Sequence, residues 1–320
     1  MFKANHRFLT LLLSFGLLGS LRAHSVELGA QIFYWGAHEG ALEYANLVDF
    51  YSGESQTCRP KLEWNSGFKL KAAYFFSTES LWDVKAEYLY YHSAPSGLKN
   101  GDTNKQVQDV YWGVHVPYGS ALPRKSGSQI WRLKVETVDF NLGRTYHFYD
   151  KIVFRPFLGL KGARQKQSLD IDFLNTNYSS FRMLNHSNMM GLGPKMGFDF
   201  SYSINQFLAI LHSLSATGLY SYVDLNRRDY RVGPPSKPSQ ELKFGYNHSK
   251  RYISPIIEFT LGPSLMYKPK NKSIEWQFKL LGELQWWMSQ NNFIRMPLSA
   301  LGRDIDLAMY GLNFEISCLF

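Results

Sequence analysis

His212 stands beside Ser213 and close to Ser215. A histidine within hydrogen-bond reach of a hydroxyl is the minimum for an activated nucleophile. The residues around it alternate apolar and polar, however, and adjacent residues of a strand point to opposite faces, so His212 cannot serve either serine directly. The remaining histidines of the processed chain, His24, His38, His92, His115, His147, His186 and His248, are scattered without metal-ligand spacing. Glu39, Glu43 and Asp49 in one segment, and Asp102, Asp109 and His115 in another, permit an acid–base cluster without defining one. The composition gives no sign of a metal-rich or cofactor-dense enzyme, so no catalytic, cofactor or metal residues are assigned.

The chemistry more evident in the sequence is electrostatic. Lys69, Lys71, Lys85, Arg155, Lys161, Lys195 and Lys279 all sit between apolar neighbours. So do Glu63, Asp83, Glu87, Asp139, Asp199, Glu258, Glu275, Glu283 and Glu315. If the apolar neighbours share one face, these groups share the other. Two readings follow: a charged constriction that sorts ions, or a salt-bridged plug in a narrow barrel. About 8 strands already fill with side chains, whereas about 16 leave an open channel.

The elements that would position these residues are strands. In 274–286, Ile274, Trp276, Phe278, Leu280, Gly282, Leu284 and Trp286 alternate with Glu275, Gln277, Lys279, Leu281, Glu283 and Gln285. Such alternation is a strand with two unlike faces. It recurs at 306–320, 192–202 and 82–92, and less sharply at 26–36, 61–76, 134–147, 152–167, 206–223 and 252–267. This predicts an all-β chain of ten strands, or twelve if 41–50 and 107–116 also pair. Pro156, Pro194, Pro255 and Pro263 fall inside predicted strands, where proline removes a ladder donor. Bulges or interruptions are expected there.

A soluble sandwich also alternates, but with its apolar face buried. Three features favour a lipid-facing exterior. The segments run 11 to 18 residues, long enough to cross a bilayer obliquely. Short connections near 77–81, 148–151, 203–205 and 268–272 interleave with long ones near 37–60, 93–133, 168–191, 224–251 and 288–305. Aromatics gather at strand ends, at Tyr34 and Trp35, Tyr74 to Phe76, Tyr146 and Phe148, Tyr220 and Tyr222, and Trp286 and Trp287. Girdles of this kind mark both water–lipid boundaries of a membrane barrel. The expected fold is a transmembrane antiparallel up-and-down β-barrel, with its termini and short turns in the periplasm.

The first residues fit that destination. Lys3 and Arg7 precede an apolar stretch from Phe8 to Leu21, with Ala23 as a small residue for cleavage. This is the layout of a signal peptide over 1–23, leaving 24–320 as one barrel domain. Export makes nucleic acid an unexpected partner. The chain has 320 residues, of which 16% are aromatic and 19% charged, with a net charge of +9. Loop 224–251 carries much of the basic excess, which would suit lipopolysaccharide phosphates or simply stay solvated. Two cysteines, Cys58 and Cys318, are too few for a disulfide scaffold. A membrane's thickness should separate them, leaving Cys58 as a free thiol that could join a neighbouring molecule in a homo-oligomer.

Several stretches also carry a resemblance: WNSGFKLKAAYFF at 64–76, WDVKAEYLYYH at 82–92, DFNLGR at 139–144, RPFLGLKGA at 155–163, GLGPKMGFDF at 191–200, ELQWWMSQN at 283–291 and YGLNFEISCLF at 310–320. In order, they resemble the Legionella-type and chlamydia-related major outer membrane proteins, a family of pore-forming barrels. The resemblance implies an outer membrane location, pore activity, and contact with outer membrane lipids and lipopolysaccharide. It carries over no catalytic residue. The terminal Phe320, with Tyr310, Leu312, Phe314 and Ile316 before it, looks like the signal read by the barrel-assembly machinery after periplasmic chaperones deliver the chain. A surface-structural or adhesive barrel, or less readily an enzymatic one, stands as the alternative to a pore.

Overall fold

The computed structural model describes residues 25–320 apart from 41, 50, 77–80, 102–104, 110–123, 176–178, 238, 270–273, 291–292 and 294–305. The expected signal peptide, 1–23, lies outside the described residues. Ten long strands form the barrel: β1 Ser25–Glu39, β2 Trp64–Phe75, β3 Trp82–Ser93, β4 Arg124–Arg144, β5 Ile152–Asn175, β6 Ser180–Ser203, β7 Leu208–Val232, β8 Gln240–Tyr267, β9 Glu275–Trp287 and β10 Leu307–Leu319. Each pairs antiparallel with its neighbour in sequence, and β1 closes on β10 from Glu27 opposite Leu319 to Glu39 opposite Leu307. The fold is therefore an all-β, ten-stranded, up-and-down barrel with both described strand termini at one end.

The segments proposed as two further strands do pair, but outside the ring. Ala45–Asp49 pairs with Lys105–Asp109 and with Ser55–Cys58, forming a small sheet on the barrel's far end. Residues 110–116 of the second segment lie outside the described residues. The strand number of the ring stays at ten.

The strands near the far end are much longer than alternation predicts. Loops expected at 168–191 and 224–251 are mostly β-hairpins, with connections confined to 176–179 and 233–239. The expected loop 93–133 likewise gives up 124–133 to β4. β8 has 28 residues, about 90 Å of chain at the usual rise, far more than a tilted crossing of an apolar band about 25 Å tall requires. The excess projects beyond the band.

The reason these extensions escape a periodicity reading is that the two faces exchange character partway along each strand. In the lower part of β5, Phe154, Leu158 and Leu160 point out while Arg155 and Lys161 point in; higher up, Leu169, Ile171 and Phe173 point in and Ser168, Asp170 and Asp172 point out. β4 changes over between Phe140 and Arg132 on its outer side, and β7 between Tyr222 and Asn226. The part near the termini is a membrane barrel, polar inside and apolar outside. The other part is built like a soluble barrel, apolar inside and polar outside.

The outer band is exposed: Ile32 67%, Leu158 66%, Leu192 60% and Leu312 62%. Such a continuous apolar surface is stable only against lipid. Leu280→Arg places a charge in this band and is expected to destabilise the folded barrel by about 2–4 kcal/mol if it lies near the midplane. Gln277→Arg, on the opposite face of the same strand, enters a polar cavity and is expected to cost much less. Denaturant titration in bilayers checks the order, and a reversed order would mean the faces are swapped.

The four prolines leave every strand continuous. The β6–β7 ladder skips Gly193 and Pro194, and the β8–β9 ladder skips Gly262 and Pro263, each resuming without a change of register. Pro156 falls where β5 passes from pairing with Tyr146–Phe148 to pairing with β4, and Pro255 lies at the end of the β8–β9 ladder. Register shifts occur elsewhere, at Leu174/Asn175 and Asp229/Tyr230. The expected bulges at proline are therefore replaced by short gaps in one ladder.

Candidate functional site: a charge-crossed lumen

The predicted interior cations all point into the barrel, and many of them meet carboxylates on strands that are not neighbours. Lys69 on β2 reaches Glu283 on β9, with Nζ 2.7 and 2.8 Å from the two carboxylate oxygens. Lys71 pairs with Glu315 at 2.6 Å and Lys279 with the same carboxylate at 2.7 Å. Glu87 lies 3.5 Å from Lys69 and 3.4 Å from Lys71. A second group forms around Asp139 and Glu258. Lys161 is 2.9 Å from Asp139 and 3.0 Å from Glu258, and Lys195 is 2.5 Å from each. A third group, nearer the terminal end, joins Arg155 to Asp83 through Nε at 2.8 Å and to Asp199 at 2.9 Å, with Lys85 3.2 Å from Asp199.

The buried pairs, Lys69–Glu283, Arg155–Asp83 and Lys161–Asp139, lie in a low-dielectric interior, where a lone charge is costly and a paired one is tolerated, whereas Lys71, Lys85, Glu87 and Asp199 face the lumen cavity. The polar side chains around them complete the satisfaction. Ser213 donates to Asp199 at 2.8 Å, Ser215 to Glu258 at 3.1 Å, and Gln285 to Glu283 at 2.8 Å. Two of the acids expected inside behave differently: Glu63 is exposed ahead of β2, and Glu275 joins none of the three groups. Glu27, which the sequence reading did not single out, lies 3.7 Å from Lys279. A cavity of about 410 Å³ runs among these residues and extends to Phe75, Thr145 and Gln277 near the terminal rim.

Above the charged layer the interior becomes aromatic. Trp35, expected in an outer girdle, points inward and is fully buried, as is Trp287. Both belong to the odd-numbered inward set of their strands, whereas the adjacent Tyr34 and Trp286 face out as expected of a girdle. Trp35 stacks on Phe33 with centroids 3.9 Å apart, and its indole N–H donates to Asn313 at 2.6 Å. Tyr91 donates to the Trp35 carbonyl at 3.0 Å. The Lys69 ammonium lies 5.4 Å from the Trp35 ring, so the aromatic layer rests directly on the charged one. Gly67 faces the Phe33 ring so closely that any side chain there would collide with it.

The small sheet seals this layer from the far side. Leu42, Tyr44, Ala45, Cys58 and Val107 join Trp35, Trp131, Leu133 and Trp287 in one buried cluster. Burial pushes the Tyr44 phenol up to about 12 and raises the Cys58 thiol above its ordinary value. Cys58 is 2% exposed, which corrects the expectation of an available intermolecular thiol: its segment folds inward as part of the seal. Both cysteines are free.

His212 and Ser213 do diverge. The imidazole lies outside, 4.9 Å from the Phe259 ring, with Nδ1 3.1 Å from the Thr260 carbonyl oxygen, while Ser213 faces Asp199 in the lumen. Among the described residues no group of three or more His, Cys, Asp or Glu side chains is placed to hold a metal ion. On β10, Leu312, Phe314 and Ile316 are exposed on one outer face, in phase with Tyr310 and the terminal Phe320.

Solved structures of similar outline are outer membrane barrels. The protease OmpT of Escherichia coli superposes with a TM-score of 0.39 at 9% identity, over 92% of this chain and 96% of that one. A major outer membrane protein from Thermus thermophilus gives 0.35 at 10%, over 93% and 100%. A FadL homologue of Pseudomonas aeruginosa gives 0.30 at 6%, over 94% and 90%. At these scores the superpositions are loose, and the strand pairing within the chain itself carries the fold assignment. No curated protein sequence matches the chain. The family described as the Legionella pneumophila major outer membrane protein precursor matches residues 21–320. With a lipid-facing band, a closed ten-strand ring and a family match over nearly its whole length, the chain belongs to this family of major outer membrane proteins and is a β-barrel of the bacterial outer membrane.

Proposed function

We propose that the protein is a narrow, porin-like barrel that passes small ions through its charge-lined interior and rests with that interior closed. The observation that supports this reading is the polar lumen itself: among the described residues, six cations and seven acids of the membrane part line a cavity of about 410 Å³. The near balance of sign gives weak ion preference, and the cross-lumen pairs leave only thin water paths, hence small conductance. No group in the lumen is assigned to covalent chemistry, so the protein acts without catalysis or cofactor in this reading. Residues 1–23 serve as its signal peptide, and the outward apolar row ending at Phe320 as the mark recognised by the assembly machinery.

Planar-bilayer recording of the refolded mature protein tests the proposal. Small, stable single-channel steps are expected. Lys161→Glu should shift the reversal potential toward cations in a salt gradient, and an unchanged potential with open channels would place the ion path elsewhere. A second reading, a sealed barrel with a structural or adhesive role at the surface, is favoured by the fully buried Trp35, Trp131 and Trp287 layer. Complete absence of steps would support it.

The termini and short turns lie at the same end; in this reading that end faces the periplasm and the long hairpins face outside the cell. An epitope tag inserted near Ser236, in the turn between β7 and β8, is expected to be reached by antibody on intact cells. Labelling at 269–271 instead would invert the topology.

A further inference from the structure

The changeover between lipid-facing and water-facing surface is not uniform around the barrel. On the β9–β10–β1–β2 side the outer residues there are aromatic and uncharged: Trp286, Tyr310, Tyr34 and Trp64, the last two stacked with centroids 5.7 Å apart. On the β4–β5 side they are mostly cationic. Two to four outward positions past Phe140 and Leu160, the outer face meets Arg164, Lys134, Lys166 and Arg132, with Glu136 opposite Arg164. Lys134 stands directly opposite Lys166 in the β4–β5 ladder. Like charges opposite one another destabilise a sheet, and they persist here without full compensation. Lys134 shares Glu136 at 2.9 Å, and Arg132 is taken by Asp170 at 2.5 Å. Arg164 and Lys166 are exposed and have no ion-pair partner among the described residues.

Arg132, Lys134 and Lys166, though not Arg164, border a groove of about 690 Å³ on the barrel's outer wall, with Asp224 the carboxylate among its lining residues. Lys134, Lys166, Arg132 and Ser168 line one side, and His186, Asn188, Asn226 and Asn247 continue it across β6, β7 and β8. It is rich in donors and lies at the upper edge of the apolar band. A free phosphate would use only its upper half. A molecule with phosphate at the headgroup and acyl chains below uses both, with the chains along Leu160, Leu192 and Met190.

We propose that this groove is a specific binding site for a phosphorylated glycolipid of the outer leaflet, with Lys134 and Lys166 in the groove and Arg164, next below Lys166 on the same outer face, holding its phosphate. The site rests on the orientation given above but not on conduction, so channel activity and lipid binding fail or succeed independently. Its cations are not those of the basic 224–251 segment read from the sequence, which gives the groove only uncharged or acidic side chains and His248, while Arg227 is buried against Asp229 and Lys243 pairs with Glu241.

The test uses the full mature protein folded in neutral detergent and titrated with bisphosphorylated lipid A. A dephosphorylated lipid A with the same acyl chains and inorganic phosphate serve as comparisons. The bisphosphorylated lipid is expected to bind, the dephosphorylated one to bind much more weakly, and inorganic phosphate to displace neither. Lys134→Gln/Arg164→Gln/Lys166→Gln is expected to weaken binding about 100-fold, the combined attraction of three cations for an anionic surface. Arg228→Gln, higher on the hairpin wall, should leave it unchanged. Heat-modified gel migration confirms that each variant is folded; if the triple variant does not fold, the comparison of the two lipids on the native protein decides. Equal affinity for both lipids, displacement by inorganic phosphate, or a folded triple variant within about threefold of native would overturn the site.

Discussion

Replacing Lys161 by methionine is expected to destabilise the folded barrel by about 3–5 kcal/mol, the usual cost of removing one member of a buried ion pair. Lys161 is 1% exposed and stands between Asp139 and Glu258. Without it, Lys195 alone faces two carboxylates in the buried interior. The excess negative charge must then be hydrated, protonated or separated, and each route lowers stability. Adding Asp139→Asn to Lys161→Met removes the uncompensated charge and is expected to recover a large part of the loss. Unfolding in denaturant, followed by tryptophan fluorescence in bilayers, checks both values. A single variant as stable as native would show that water already hydrates the pair, and that the lumen is wetter than its burial indicates.

Removing the seal should have the largest effect on conduction. Excising 42–58 and joining the flanks through a short Gly/Ser linker takes away Leu42, Tyr44, Ala45 and Cys58 from the buried cluster. Trp35, Phe33 and Trp287 then lose their cover on the far side. Single-channel conductance is expected to rise several-fold, while weak ion preference persists because the charged layer is untouched. If conductance stays at the native level in a folded variant, the charged layer is the narrowest point and the small sheet is only a lid over it.

The membrane part of this architecture was legible because lipid imposes one rule on every strand: apolar outward. Leu280, Leu284 and Trp286 mark β9 by themselves, and the inward lysines and carboxylates follow by parity. Their pairing was not legible. That Lys69 meets Glu283 depends on which strands face each other across the lumen, a consequence of ring size and stagger that no local pattern encodes. The far part was misread as loop for a related reason. There the inner face is apolar and the outer face polar, so residues such as Asp224, Asn226 and Arg228 look like solvated loop when the apolar face is sought outside. Trp35 and Trp287 resemble girdle residues only through their neighbours; counting in steps of two along β1 and β9 places both inward.

One group of interior contacts has a further consequence for how the molecule is made. The pairs Lys69–Glu283 and Lys71–Glu315, with the Trp35–Asn313 bond, all straddle the junction where the first strand meets the last. Their partners are separated by more than two hundred residues of chain, so none can form until synthesis is complete and the final strand has arrived. Ring closure is thus the slowest kind of contact to make and, once made, is latched from behind by side chains the bilayer cannot reach. A chain cut short of β10 lacks Glu315, the carboxylate shared by Lys71 and Lys279, leaving an open-edged sheet with unmatched charge. The molecule carries its own check for completeness, read out as electrostatics at the seam.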